Sequence, residues 1–271
     1  MSIEPPTERR ELIAGRLGQG QAVSAGVLAE EFGVSSDTIR RDLRMLAAEG
    51  RCRRVYGGAL PTSPASSPMA VRAGEGPERK QALAEAAAEL ILPGEFLFLD
   101  NGSTNLALAR LLPDRQLTVA TNSAAIAAVL TDRRDLELHL TGGLVNAEVG
   151  GCVDATAMLA VQRMNIDRCF LGACAVSSEE GVCAFDSGDA AFKRLLLAHS
   201  RTVVIMATTD KLGTRAPHRA AALADIDCLV VEHDAAACVD FAAVEQLGID
   251  IVRVGPPVLP EDRLFRPGGG A

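Results

Sequence analysis

From about residue 79 to residue 255 the chain repeats one pattern, and that pattern constrains its fold more than any other feature. Short apolar runs stand at 95–99, 117–120, 136–140, 168–171, 202–206, 227–231 and 249–254. Between most of them lie Ala- and Leu-rich stretches with helical spacing, such as Lys80–Leu92, Asn105–Leu112 and Ala155–Met164. Short apolar strands need cover on both faces, and strands that alternate with helices build βαβ units. The pattern therefore predicts an α/β domain, a mostly parallel sheet covered by helices.

Upstream the pattern differs. Residues 5–60 read as helices followed by a short strand pair, and residues 61–78 (PTSPASSPMAVRAGEGPE) are rich in Pro, Ser, Ala and Gly. Such a composition buries too little apolar surface to hold a fixed fold, so it reads as a linker. Residues 256–271 run into a Pro-Gly tail. At 271 residues the chain suits two domains and can bury a core without disulfides or metals. Its seven cysteines include no CxxC pair and mostly sit in apolar stretches, which suits reduced, buried thiols. The four histidines, at 139, 199, 218 and 233, lack ligand spacing, so neither a metal nor another cofactor is implied. No run of about 18 apolar residues is present, and the start, MSIEPPTERRELI, lacks the order of a secretory signal. A cytoplasmic protein with no membrane partner is the expectation.

The N-terminal unit carries a second constellation. Leu28, Ala29, Phe32 and Val34 give one short helix an apolar face, and Gly33 stops it. Ser35 is placed to cap a second helix, with Asp37 in its first turn. Ile39, Leu43 and Leu46 recur there at i, i+4 and i+7, which turns Arg40, Arg41 and Arg44 outward. The stretch RCRRVYGGA at 51–59 then adds three arginines and Tyr56 on a strand entering Gly57-Gly58. Taken singly, arginines on an amphipathic helix describe a solvated face, and Gly33 only a helix stop. In this order, within about 40 residues, they describe a winged helix-turn-helix whose second helix fits a DNA major groove. Charge agrees. The net charge of −8 conceals six arginines against three acids in residues 35–60, attached to an acidic body. Aromatic content of 3% disfavours base-stacking on single strands, which leaves duplex DNA as the partner.

In the α/β region, three apolar runs end in small polar residues: Asp100-Asn101-Gly102-Ser103-Thr104, Thr121-Asn122-Ser123 and Thr141-Gly142-Gly143. A lone Gly-Ser-Thr is most simply a helix cap. Three such turns at successive strand ends converge on the edge where open α/β sheets bind ligands, and their amides suit an anion.

The stretch LAEEFGVSSDTIRRDLRMLAAEGRCRRVYGGA resembles the DNA-binding motif of DeoR-family bacterial transcription regulators, VSxxTIRRDLxxLxxxGxxxRxxGGA. Val34, Ser35, Thr38 to Leu43, Leu46, Gly50, Arg54 and Gly57-Gly58-Ala59 carry the match. The resemblance implies that Ser35, Thr38, Arg40, Arg41 and Arg44 lie at the groove and Arg53, Arg54 and Tyr56 on the wing. Tyr56 stands where the family often has His. Residues 79–253 resemble the family's effector domain through Lys80, LPGEFLFLDNGSTNLALA, LTVATNS, LTGG, IDRCFLGA and FKR at 192–194. That implies a fold shared with sugar isomerases and coenzyme A transferases, and a phosphorylated sugar or polyol as effector. By position, Asp100, Gly102, Ser103, Thr104, Thr121, Asn122, Gly142, Gly143, Gly172 and Lys211 would line the pocket. Two departures bear on which effector is bound. The family's D-x-S-K pattern before Phe-Gly reads TTDKLG at 208–213, and Asp189 stands where Glu is common.

The rival reading is a sugar-phosphate isomerase of the same fold, because DNGST also resembles the phosphate turn of ribose-5-phosphate isomerases. Those enzymes carry DGADE where this chain reads Leu171-Gly172-Ala173-Cys174-Ala175, so both acids suited to proton transfer are absent. Cys174 has no His or basic neighbour in sequence to activate it, and reads as a structural thiol. The expectation is a non-enzymatic regulator, in this family more often a repressor, acting on paired operator half-sites as a homo-oligomer, dimer or tetramer.

Overall fold

The computed structural model describes residues 6–18, 23–49, 51–55, 57–61 and 69–255. The tail at 256–271, the linker residues 62–68, Gly50 and Tyr56 lie outside the described residues.

In the N-terminal unit, helices α1 (Pro6–Gly18), α2 (Ala25–Phe32) and α3 (Ser36–Ala48) surround Ile13, Leu17, Leu28, Ile39, Leu43 and Leu46, all fully or almost fully buried. Gly33 ends α2 in the left-handed conformation, φ 63°, which lets the chain reverse without a Cβ clash. The wing is a three-stranded sheet ordered β1 (Val23–Ser24), β3 (Gly58–Pro61), β2 (Cys52–Val55). The expected strand pair thus gains a third strand, too short to show in sequence. Gly58 is obligatory there, since a Cβ would sit 2.0 Å from the Val23 carbonyl oxygen.

The second unit opens with α4 (Met69–Gly74) and α5 (Pro77–Ala88). This corrects the expected linker of 61–78: its second half is helical and packed, with Met69 and Arg72 buried. A Pro/Ser-rich composition conceals one anchoring methionine and one buried arginine, so the sequence boundary falls about ten residues late.

There follow β4 (Phe96–Leu99), α6 (Ser103–Ala109), β5 (Thr118–Thr121), α7 (Ala124–Leu130), β6 (Glu137–Leu140), the pair β7 (Val145–Asn146) and β8 (Gly151–Cys152), and α8 (Ala155–Val161). The chain continues through β9 (Ile166–Leu171), β10 (Ala175–Ser177), β11 (Gly181–Ala184), α9 (Ser187–Ala198), β12 (Ser200–Ala207), β13 (His218–Ala221), β14 (Cys228–Glu232), α10 (Phe241–Gln246) and β15 (Asp250–Val254). All seven expected apolar runs are strands of one wholly parallel sheet ordered β15-β14-β12-β9-β4-β5-β6. Alternate residues feed two cores. Phe98, Cys169 and Leu171 face one, while Leu97, Leu99 and Phe170 face the other. An antiparallel sheet β10-β11-β13 was not anticipated.

The sheet order fixes where a ligand can sit. From β4 the chain builds outward through β5 and β6, then crosses to the opposite side of β4 for β9 and builds the other way. Connections leave β4 and β9 in opposite directions and open a crevice at their carboxyl ends, the switch point at which open α/β sheets bind ligands.

Candidate functional site

Two sites take shape, one in each unit. In α3, Ser35 caps the helix by accepting the Thr38 amide at 3.2 Å, and the two hydroxyls lie 2.9 Å apart. Arg40, Arg41, Arg44 and Arg54 are all exposed. Arg40 pairs with Asp37 at 2.9 Å and Arg44 donates to the Arg40 carbonyl, whereas Arg41 makes no hydrogen bond or ion pair among the described residues. Arg53 belongs to β2 by its backbone; its side chain and all of Tyr56 lie outside what is described. The motif's acid was missed. Asp42 shares the inward face of α3 with Ile39, Leu43 and Leu46, and pairs there with buried Arg9 of α1 at 2.7 Å. Its i+3 spacing from Ile39 was the available signal.

The second site lies at the switch point. Asp100, one residue beyond β4, accepts the Gly172 amide at 2.9 Å and the Lys193 ammonium at 2.7 Å through one oxygen, and the Asn101 amide through the other. Lys193 of α9 also pairs with Asp189 at 2.7 Å, and all three side chains are buried. Burial opposes the lysine's charge, but two carboxylates outweigh it and its pKa is raised. The Asp100 carboxyl is pushed up by burial despite Lys193. Asn105 bridges the strand ends, donating to the carbonyls of Asp100 at 2.8 Å and Phe170 at 2.7 Å. These contacts form a fixed floor.

Above the floor is a cavity of about 330 Å³. Gly102, Ser103, Thr104, Gly172 and Lys211 line it, as expected. Asp100 lies beneath the wall as a strut. Thr121, Asn122, Gly142 and Gly143, also expected at the pocket, do not line it. Thr121 donates to the Leu99 carbonyl, and Asn122 exchanges hydrogen bonds with Asn101 and holds Cys152. Gly143 packs so closely on Asp154 that a Cβ would meet its carboxylate at 2.2 Å, while Gly142 stands in open space. The reason is position: β5 and β6 lie on one side of the switch point, so their ends buttress the crevice without facing it.

Sequence reasoning also missed lining residues. Arg72 reaches in from α4 and donates to the Val149 carbonyl at 3.1 Å, and Asn101, Glu148, Asp186, Asp189 and Lys193 complete the polar wall. Lys211 is buried, its ammonium has no hydrogen-bond or ion-pair partner among the described residues, and burial lowers its pKa. The Thr104 hydroxyl is likewise buried and unpartnered. An ammonium and a hydroxyl left unsatisfied in a cavity are costly unless a ligand completes them. Because α6 has only seven residues, the attraction for an anion rests on Lys211 and Arg72 more than on a helix dipole. Burial pushes the Cys174 thiol up, away from the thiolate that a nucleophile needs. Among the described residues no group of three or more His, Cys, Asp or Glu is placed to hold a metal, and no helix is long and apolar enough to cross a membrane.

Comparison with known proteins bears on both units. Residues 9–64 match the model of the DeoR-like helix-turn-helix domain, and residues 75–233 that of the DeoR C terminal sensor domain. The chain is 33% identical over 84% of its length to the HTH-type transcriptional regulator GlpR of Haloferax volcanii, covering 90% of that protein. It is 31% identical over 83% of its length to the glycerol-3-phosphate regulon repressor of Escherichia coli K12, again covering 90%. Among solved structures, ribose 5-phosphate isomerase A from Methanocaldococcus jannaschii is similar over 50% of this chain and 54% of that one, at TM-score 0.37 and 16% identity. The relatives are named as regulators, which favours regulation over isomerisation. With a helix-turn-helix bearing an open arginine face and a sensor built on a parallel sheet, the chain belongs to the DeoR family of DNA-binding transcriptional regulators.

Proposed function

We propose that this protein represses a carbohydrate or polyol catabolic operon in the cytoplasm and is released from its operator by a phosphorylated sugar or polyol. The observation that carries the reading is the cavity at the β4/β9 switch point, with its unpartnered Lys211 ammonium and Thr104 hydroxyl. Those groups suit a phosphate, while Asn101, Glu148 and Asp186 along the same wall suit hydroxyls. A relative named for glycerol-3-phosphate supports the same ligand class. Ser35, Thr38, Arg40, Arg41 and Arg44 are the groove-facing set and Arg53, Arg54 and Tyr56 the wing set. The functional species is a dimer or tetramer, since paired half-sites multiply the affinity of one small reading unit.

Release requires that the ligand prefer one of two states, with a coupling of about 1–3 kcal/mol. The test is an operator-binding titration with a panel of sugar and polyol phosphates at fixed salt. One or more should weaken operator binding by roughly 5- to 150-fold, and Ser103→Asp, which sets a carboxylate in the cavity, should abolish the response while leaving DNA affinity intact. A response that survives in the variant sinks the assignment.

A further inference from the structure

A second cavity, of about 230 Å³, adjoins the first. The two share Arg72, Ser103 and Lys211, which form the wall between them. Beyond that wall the second cavity is lined by Glu75, Gly76, Arg79 and Lys80 from the connector into α5 and by Thr208 and Asp210 after β12. The reading proposed above gives this space no task.

Its charges are arranged unevenly. Arg79 is neutralised, held by Glu232 at 2.6 Å and by Asp210 at 3.1 Å. Lys80 is buried and donates to the carbonyls of Arg72 and Glu75, which uses two of its three N–H groups and forms no ion pair among the described residues. Lys211 is buried, and its ammonium makes no hydrogen bond or ion pair among the described residues. Against these cations stands one acid outside an ion pair, the exposed Glu75. Thr208 adds a feature already singled out in the sequence. It stands where the D-x-S-K pattern has an acid, so a neutral, buried hydroxyl side chain faces the cavity in place of a carboxylate. Burial lowers the pKa of both lysines, and an anion beside them would reverse that cost.

We infer that the second cavity is an anion subsite, so that the molecule sensed here carries two acidic groups, one on each side of the Arg72–Lys211 wall. A diphosphorylated sugar or polyol, or one bearing a phosphate and a carboxylate, fits that description. The inference rests on the sugar-phosphate reading of the first cavity and extends it. Part of the second cavity is the chain segment that leads in from the DNA-binding unit, so the second acidic group touches the connector directly.

The experiment counts anions on the full-length protein by equilibrium dialysis with radiolabelled inorganic phosphate. Two phosphates per chain are expected. Thr208→Asp should remove one, and Glu75→Lys should tighten that same one by about three- to fivefold, the range of an exposed ion pair. Neither change should alter the other phosphate, and melting curves confirm that both variants are folded. A single phosphate indifferent to both substitutions overturns the inference and leaves the sugar-phosphate reading standing. No phosphate at all removes that reading as well. Calorimetry with fructose 1,6-bisphosphate, compared with fructose 6-phosphate plus inorganic phosphate, then separates one ligand from two. A bisphosphate advantage that Thr208→Asp erases supports a doubly acidic effector. Equal binding of the separate pieces, with no such advantage, overturns it.

Discussion

Lys193 holds two buried carboxylates, and its removal would leave both without a counter-charge. Lys193→Met should cost about 3–5 kcal/mol, the typical cost of breaking a buried ion pair, read from urea unfolding. Since the folded pKa is raised, this contribution is complete below the ordinary lysine value of about 10.4 and fades only as pH climbs through the higher folded value. Wild-type stability should therefore show no loss from this group between pH 6 and pH 9. Lys211 behaves oppositely. Burial depresses its pKa, so its charge disappears earlier than an ordinary lysine's as pH rises. Phosphate affinity should fall on the alkaline side below about pH 10.4, and Lys211→Met should flatten the profile as well as weaken binding. In the reading helix, Arg41→Ala should weaken operator binding by about 1–3 kcal/mol and relax preference at one base pair. Arg54→Ala should weaken all sequences alike and reduce the salt slope by about one. Gel shifts over a salt series, on matched and mutated operators, distinguish the two.

At the level of elements, the crevice depends on how closely the β9 end approaches the turn after β4. A Cβ on Gly172 would lie 2.4 Å from the Asn101 carbonyl oxygen, so Gly172→Ala must push that turn away. The variant should keep its parallel sheet, seen by circular dichroism, and lose phosphate binding at least tenfold, since about 1.4 kcal/mol of misplacement suffices. Elements were legible in sequence where their signal is local. Each of the seven core strands announces itself as an apolar run, and Ser35 and Gly33 mark the ends of their helices correctly. The strands β1, β10 and β13 are short or mixed in character, and the partners of β1 and β13 are distant in sequence. Nothing local distinguishes them. The helix α9 carried its own signal, Asp186 capping ahead of Ala190, Phe192 and Leu196, yet the charge it delivers to Asp100 becomes visible only in three dimensions.

For the whole molecule, the order of strands is the fact the sequence withholds. Three strand ends look chemically alike, and only the fold tells the one beside the switch point from the two that buttress it. This is why Gly102, Ser103 and Thr104 line the cavity while Thr121, Asn122, Gly142 and Gly143 do not. The connector differs from its sequence expectation for the opposite reason, since composition hides Arg72 and Met69 inside an unpromising stretch. A truncation pair tests that correction. A fragment beginning at Met69 should fold and bind phosphate. One beginning at Arg79 deprives Lys80 of the carbonyls of Arg72 and Glu75, and should melt about 5 °C or more lower and bind phosphate poorly.

The floor beneath the cavity is complete before any ligand arrives: Asp100, Lys193 and Asp189 are already paired, and Asn105 already spans the two strand ends. A surface with nothing left to arrange admits its visitors at similar speeds, so related effectors should differ chiefly in how long they stay. For the operon, the duration of induction after the nutrient is exhausted would then be set by an off-rate.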